Sequence, residues 1–150
     1  MAKMVMKAVK ENGRVACVSA PTLYRAIKTI NIDFNATVFE YDKRFAAYGS
    51  DFIFYDYKSP LSVPKECRES YDLVFADPPF LSDECLTKTA VTMKYICKDP
   101  KKLVLCSGAV MEELAGRLLD LKMCQFKPEH KNNLANEFRC FANFDFDALL

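Results

Sequence analysis

The feature that most constrains the fold is a regular alternation of short apolar segments with segments of helical period. Five apolar segments predict β-strands, and in chain order they read "RVACVS", "ATVFE", "DFIFYD", "DLVFA" and "KLVLCS". Helices are predicted around and between them, for instance in "PTLYRAIKTI", "DKRFAAYG" and "VMEELAGRLLDL". Strands that alternate with helices indicate parallel βαβ units, so we expect a Rossmann-like, doubly wound α/β sheet.

The C-terminal tail departs from this alternation. Both "KMCQF" and "EFRCFANFDF" have the composition of strands, and no strong helix separates them. The second segment has apolar residues at every other position, namely Phe138, Cys140, Ala142, Phe144 and Phe146. We therefore expect a terminal hairpin that adds one antiparallel strand to a mostly parallel sheet. At 150 residues, the chain is expected to form a single domain over 1–150.

Charge and cysteine content argue against several classes of function. Lys plus Arg number 21 against 20 for Asp plus Glu, so the basic excess of a duplex-binding protein is missing and nucleic acid is only an alternative partner. Seven cysteines stand far apart without a CxxC pair, and His130 is the one histidine, which argues against a metal site. Such scattered cysteines indicate reduced thiols. Without a recognisable leader or a membrane-length apolar run, the chain is expected to be cytoplasmic.

Acidic residues follow three of the predicted strands, where ligands of such sheets bind. Glu40 ends the second strand, Asp56 the third and Asp77 the fourth. An acid at the end of the second strand commonly holds ribose hydroxyls, and Asp56 could accept a hydrogen bond from an adenine amino group. Asp42 is an alternative ribose ligand or the N-cap of the next helix. These acids predict an adenosine-containing ligand, although acids also begin ordinary turns.

The turn after the first strand narrows the choice of ligand. It reads "VSAPTLY" and contains no glycine, whereas dinucleotide sites use glycines to bring the backbone close to a pyrophosphate. NAD, FAD and nucleoside triphosphates are therefore disfavoured. S-adenosylmethionine has no phosphate, and its carboxylate needs only a helix N-terminus and backbone amides. The alternative is a domain that has lost its ligand.

The segment "DPPF" predicts a site for an amino group beside that ligand. Pro78 and Pro79 each fix their own φ angle and restrict the preceding residue, so the Asp77 carboxylate is held in place. The carboxylate and nearby carbonyls can accept N–H bonds, while the Phe80 ring packs against the amino group. Methyl transfer from a sulfonium then requires mainly alignment of donor and acceptor. A rigid turn with no such role is the other interpretation.

The same residues resemble a known family. "ADPPF" is similar to the [Asn/Asp/Ser]-Pro-Pro-[Tyr/Phe/Trp] motif of class I amino methyltransferases. Together with "RVACVSAP", "FEYDKRFAAYGSDFIFYDY", "DLVFADPPFLSDECL" and "NLANEFRCFANFD", it resembles the elongation factor 1-alpha lysine methyltransferase family. Members of that family were formerly catalogued as N6-adenine-specific DNA methyltransferases. The likeness extends over nearly the whole chain.

The resemblance implies S-adenosylmethionine-dependent methylation of a lysine on elongation factor 1-alpha, by a seven-stranded class I fold. It implies that Asp77, Pro78, Pro79 and Phe80 form the acceptor site. The implied cofactor site contains Ser19, Ala20, Pro21, Glu40 or Asp42, Asp56 and Asp77. Family members carry an additional N-terminal segment with aromatic residues, which we expect this chain to lack. Adenine methylation of DNA or RNA, and a non-catalytic binding domain, are the alternative functions.

One further segment is open to two interpretations. "HKNNLANEFRC" can be a hairpin loop with Asn-rich turns, or His130, Lys131 and Asn136 can lie at the acceptor mouth as recognition groups.

Overall fold

The computed structural model describes residues 1–128 and 137–150, and within these ranges it contains a seven-stranded β-sheet. The strands are β1 (Val15–Val18), β2 (Ala36–Glu40), β3 (Phe52–Phe54), β4 (Leu73–Ala76), β5 (Leu103–Gly108), β6 (Lys122–Met123) and β7 (Phe138–Ala142). The α-helices are α1 (Ala2–Lys7), α2 (Pro21–Ile30), α3 (Asp83–Ile96) and α4 (Glu112–Leu119). Short 3-10 helices cover Lys43–Asp51, Lys65–Cys67, Ala109–Met111 and Asp147–Leu149.

The strand order is β3-β2-β1-β4-β5-β7-β6, which confirms the predicted fold class. Strands β1 to β5 pair in parallel, and β7 pairs antiparallel with β5 on one side and β6 on the other. Val15 at the start of β1 lies opposite both Ala36 and Leu73, so the order reverses at β1 and β4. In an open α/β sheet this reversal marks where ligands bind.

Helices cover both faces of the sheet. Helices α1 and α2 pack on one face through Val5, Leu23 and Ile27, which join a buried cluster with Val15 and Cys17. On the other face, α3 and α4 contribute to a second cluster that holds Leu86, Ala90, Met93, Ala115, Leu119, Ala16, Val18, Phe39 and Phe141. Because β1 is buried on both sides, its short apolar run can form a central strand.

Local signals explain where several helices begin and end. Pro21 is the first residue of α2, and the Ser82 hydroxyl accepts the Cys85 N–H at 3.1 Å to cap α3, as predicted. The segment Lys43–Asp51 is a 3-10 helix interrupted at Gly49, whose φ of 67° suits glycine. A single helix was predicted from Val110, but the structure has a 3-10 helix over Ala109–Met111 followed directly by α4.

The C-terminal strands are shorter than predicted. Strand β6 has two residues, and β7 ends at Ala142 although the apolar alternation continues to Phe146. Beyond Ala142, the Asn143 side chain accepts the Leu103 N–H at 2.9 Å and donates to the Lys101 carbonyl at 2.8 Å. The Asn143 side chain thus forms hydrogen bonds at the start of β5, where the backbone pairing of β7 has ended. Phe144 and Phe146 still pack against the α1–α2 face.

Candidate functional site

Backbone hydrogen bonds align the ends of β4, β1 and β2 at one edge of the sheet. The Asp77 N–H donates to the Val18 carbonyl at 3.0 Å, and the Ser19 N–H donates to the Phe39 carbonyl at 2.7 Å. The "DPPF" loop and the turn after β1 therefore leave neighbouring strands at the same level. Adjacent strands lie about 4.8 Å apart, so the chain presents these two turns side by side.

The row continues to β3. The Tyr55 N–H donates to the Glu40 carbonyl at 3.0 Å, which places Asp56, the next residue, beside the end of β2. Glu40 and Asp77 leave the sheet two strands apart, or roughly 10 Å at the usual strand spacing. All the segments that carry the predicted site residues thus meet at one edge, as the parallel order of β1 to β4 requires.

The turn after β1 has a backbone suited to a ligand with a carboxylate. Ser19 adopts a φ of 54°, an unusual conformation for a residue with a Cβ atom that costs about 1–3 kcal/mol. Ala20 is buried and occupies the N-cap of α2, and within the described part of the chain no side chain caps this helix end. Because Pro21 has no N–H, the first free amides of α2 are those of Thr22 and Leu23. The positive end of the helix is therefore available to an anion.

Glu40 and Asp42 differ in how far the protein itself uses their carboxylates. Glu40 is half-buried, and its Oε2 accepts the Asp42 N–H at 2.9 Å, which orients the carboxylate. Both oxygens of Asp42 are bound by Arg44, at 2.6 Å from Nη2 and 2.9 Å from the backbone N–H. These hydrogen bonds from Arg44 hold the pKa of Asp42 below its ordinary value. Asp42 acts as an N-cap and ion-pair partner, so Glu40 is the better candidate for the ribose hydroxyls.

Asp56 is half-buried and forms the turn that follows β3. Its Oδ1 accepts the Lys58 N–H at 2.9 Å, and its carbonyl accepts the Ser59 N–H at 2.9 Å. This is the turn role that strand-end acids commonly have. A carboxylate has about four acceptor positions, so one local bond fixes its direction and leaves capacity for an amino group. The adenine contact of Asp56 stays a prediction.

The "DPPF" loop presents its acid and its ring to solvent. Pro78 is buried, whereas Asp77 and Pro79 are exposed and Phe80 exposes 58% of its surface. The Phe80 ring lies edge-on to Tyr57, with 6.0 Å between ring centroids. A buried proline anchors the loop beneath two exposed groups, which is the arrangement expected of a rigid platform for an amine.

Sequence reasoning missed the aromatic residues that adjoin the strand-end acids. Tyr57 directly follows Asp56, and Tyr41 directly follows Glu40. Tyr41 exposes 65% of its surface and lies against Phe54, with 5.6 Å between centroids. The repeated placement of an aromatic residue immediately after an acid was the available signal.

The recognition groups that were predicted at the acceptor mouth cannot be placed relative to these strand ends. His130, Lys131 and Asn136 lie outside the described residues. Within 1–128 and 137–150 no group of three acidic, cysteine or histidine side chains could hold a metal ion. The helices of these same ranges are too short or too polar to cross a bilayer.

Two concave surfaces are lined by residues other than the predicted site residues. One, of about 450 Å³, is lined by Arg25, Arg44, Phe45, Ala47 and Tyr48. The other, of about 380 Å³, lies where β6 and β7 meet the residues around Asp147. None of the predicted site residues is among the described residues that line either surface.

Comparison with known proteins identifies relatives over nearly the whole chain. Residues 1–146 match a family described as probable N6-adenine methyltransferase. The human protein EEF1A lysine methyltransferase 1 is 52% identical over 147 residues, which cover 97% of this chain and 68% of the human protein.

Solved structures show the same fold at low sequence identity. A TehB-like SAM-dependent methyltransferase from Corynebacterium glutamicum superposes with a TM-score of 0.63 at 13% identity, covering 94% of this chain and 84% of that one. Fibrillarin from Aeropyrum pernix, solved with natively bound S-adenosyl-L-methionine, gives 0.58 at 15% identity, covering 94% and 72%. The described architecture is therefore that of class I methyltransferases.

Proposed function

The chain belongs to the EEF1A lysine methyltransferase family, and on that premise we propose that it methylates a lysine side chain of translation elongation factor 1-alpha with S-adenosylmethionine. The structural observation that carries the proposal is the hydrogen bond between Asp77 and Val18. It joins the acceptor loop to the turn after β1. Donor and acceptor would therefore meet without any rearrangement of the sheet.

The residues at this edge fit S-adenosylmethionine. The glycine-free turn suits a ligand without phosphates, and the uncapped start of α2 among the described residues suits the carboxylate. We assign the ribose hydroxyls to Glu40, whose carboxylate is oriented by the Asp42 N–H. We assign the adenine amino group to Asp56. Ser19, Ala20 and Pro21 would shape the backbone around the amino-acid part of the cofactor.

The acceptor loop would hold the substrate amine in line. When bound, S-adenosylmethionine supplies an electrophilic methyl group on its sulfonium. The Asp77 carboxylate and the carbonyls of Pro78 and Pro79 would accept N–H bonds from the amine, and the Phe80 ring would pack on it. These contacts would direct the nitrogen lone pair towards the methyl group, and alignment of this kind is a large part of catalysis of bimolecular transfer.

A lysine acceptor must lose a proton from Nζ before it can attack. The pKa of free lysine is about 10.4, and the Asp77 carboxylate favours the charged form. Asp77 is exposed, so we infer that the proton leaves Nζ to solvent beside it before the amine is aligned. Partial burial of the alkyl chain against Phe80 would favour the neutral amine.

The experiment is transfer of a labelled methyl group from S-adenosylmethionine to purified elongation factor 1-alpha. We expect label that is lost after protease digestion, survives nuclease, and is recovered as methylated lysine. Label released by nuclease from cell extract would instead favour adenine methylation. Calorimetric titration that shows no heat with S-adenosylmethionine would favour a non-catalytic domain. The cytoplasm is the proposed compartment, because all seven cysteines are free.

A further inference from the structure

A partly exposed apolar strip crosses the ends of β3, β4 and β5. We define it as Tyr57, Phe80, Leu81 and Val110. Tyr57 touches Phe80 edge-on at 6.0 Å, and Phe80 is followed by Leu81 in the chain. Leu81 and Val110 both border Gly108, because methyl carbons of their side chains lie 3.2 and 3.6 Å, respectively, from where a Gly108 Cβ atom would be. The strip therefore extends from the third strand end to the fifth.

Two residues of the strip, Phe80 and Val110, belong to neither of the buried clusters. Phe80 exposes 58% of its surface and Val110 exposes 71%, whereas the adjoining Met111 is buried. The side chains of Phe80 and Val110 therefore stay exposed to solvent, whereas that of Met111 packs into the core. Exposed apolar side chains grouped beside a proposed site are typical of a region that contacts a partner.

Acidic residues flank the apolar strip on the helices that start beside it. Asp83 and Glu84 begin α3, Glu112 and Glu113 begin α4, and all are exposed. Glu84 and Glu113 pair with residues one turn further along their own helices. Across the described ranges, neither Asp83 nor Glu112 forms an ion pair. Acidic residues at the start of a helix stabilise that helix through its dipole. Helix stabilisation does not explain why the apolar side chains of Phe80 and Val110 beside them are exposed.

We propose that the apolar strip and these acids dock the segment of the protein substrate that carries the acceptor lysine. This inference rests on the proposed function. The segment would lay an apolar side chain across Phe80 and Val110 and direct basic side chains to Asp83 and Glu112. A carboxylate rim repels phosphates, so the same surface favours a basic polypeptide over a nucleic acid.

The test compares two variants of the proposed docking surface with matched controls. Val110→Asp and Glu112→Lys alter the proposed docking surface. Ile32→Asp changes an equally exposed apolar residue, at 73%, in the loop that leads into β2, and Glu11→Lys reverses an exposed charge before β1. Each chain is assayed for methyl transfer while the concentration of purified elongation factor 1-alpha is varied. Calorimetry with S-adenosylmethionine and the thermal unfolding midpoint are measured for every chain.

In both docking-surface variants we expect the KM for elongation factor 1-alpha to rise about tenfold, equivalent to about 1.4 kcal/mol. We expect kcat to change less than twofold. Cofactor affinity and both control variants should match the parent chain. If Glu112→Lys weakens the start of α4, Glu112→Gln serves instead and should raise KM by a smaller factor. If the KM of both docking-surface variants equals that of the control variants, the docking proposal is wrong.

Failure of the proposed function gives a different pattern. In that case the parent chain transfers no methyl group to elongation factor 1-alpha at any concentration. Docking is then read from direct binding of elongation factor 1-alpha to the parent chain and to Val110→Asp. Binding that Val110→Asp weakens supports the surface without the reaction, and binding that is unchanged or absent contradicts it.

Discussion

The backbone N–H of Asp77 donates to the carbonyl of Val18 across 3.0 Å, so the acceptor loop and the turn after β1 begin from adjoining positions. The bond extends the parallel pairing of β1 with β4, whose register runs from Val15 opposite Leu73 to Val18 opposite Ala76. The register fixes where along the two strands each turn begins. The pairing of β1 with β4 therefore sets the distance between the proposed methyl-donor site and the proposed acceptor site. A slip in that register would separate the two halves of the proposed site.

Replacing Asp77 should abolish transfer while leaving the cofactor bound. We expect Asp77→Ala to lose methyl transfer but to keep affinity for S-adenosylmethionine within about tenfold, roughly 1.4 kcal/mol, because the main role of the carboxylate is to hold the amine. Asp77→Asn, which keeps an acceptor oxygen, should retain part of the activity. Calorimetry and single-turnover transfer measure the two effects. Collapse of cofactor binding in Asp77→Ala would show that the residue belongs to the cofactor site.

Glu40 and Asp42 should respond differently to removal of their carboxylates. Glu40→Ala is expected to weaken S-adenosylmethionine binding roughly 10- to 100-fold, the loss expected for hydrogen bonds to a charged acceptor. Asp42→Ala should lower the unfolding midpoint slightly, since it removes an N-cap and the Arg44 ion pair, and should leave cofactor affinity nearly unchanged. The opposite ranking in calorimetry would transfer the ribose role to Asp42.

Phe80 should matter for the acceptor and little for the fold. Because the ring is largely exposed, Phe80→Ala should change the free energy of unfolding by less than about 1 kcal/mol. It should lower kcat/KM for the protein substrate by roughly 10-fold, about 1.4 kcal/mol, because the ring no longer packs against the alkyl chain of the acceptor lysine. Phe80→Tyr is the matched control and should keep most of the activity. Equal loss in both variants would argue against packing of the amine on the ring.

Stability should fall in alkaline solution because the buried thiols resist ionisation. Burial raises the pKa of Cys17 from 9.0 to about 12, so the folded state keeps a proton that the unfolded state releases. The stabilisation is fully present below pH 9 and is lost as the pH rises towards 12, by up to about 1.4 kcal/mol per pH unit for each such thiol. Urea unfolding at pH 8, 9 and 10 under reducing conditions measures this slope.

Cys17→Ala provides the control for that slope. The variant should show a shallower fall in stability above pH 9, while Cys67, Cys85 and Cys97, whose pKa values burial also raises, keep contributing. An unchanged slope in the variant would show that Cys17 does not carry this dependence. In the parent chain, a thiol reagent at neutral pH should react only after unfolding, since the seven cysteines are buried.

Local signals were enough to predict most of the elements. Pro21 and Ser82 begin their helices as expected, and the bounds of α2 and β2 match the predicted segments, because caps and hydrophobic period act over a few residues. The presence of one antiparallel strand in the C-terminal tail was also predictable from the missing helix before it. The early end of β7 was not, since it depends on the contacts of Asn143 with Lys101 and Leu103, about forty residues earlier.

The candidate site was predictable as a set of strand ends but not as a set of contacts. Reading acids at strand ends placed Glu40, Asp56 and Asp77 at one edge, because parallel strands all end there. The engagement of Asp42 by Arg44 depends on side-chain geometry that spacing does not reveal. The approach of Leu81 to Gly108 brings together two loops that are distant in the sequence. It could be found only after the strand order was known.

The most direct test of the central claim is a crystal structure of this chain with S-adenosylhomocysteine, the demethylated product. We expect the ribose hydroxyls within hydrogen-bonding distance of the Glu40 carboxylate, and the sulfur atom facing the loop from Asp77 to Phe80. A crevice filled by the protein's own side chains, or a product whose sulfur points away from that loop, would contradict the proposed juxtaposition of donor and acceptor.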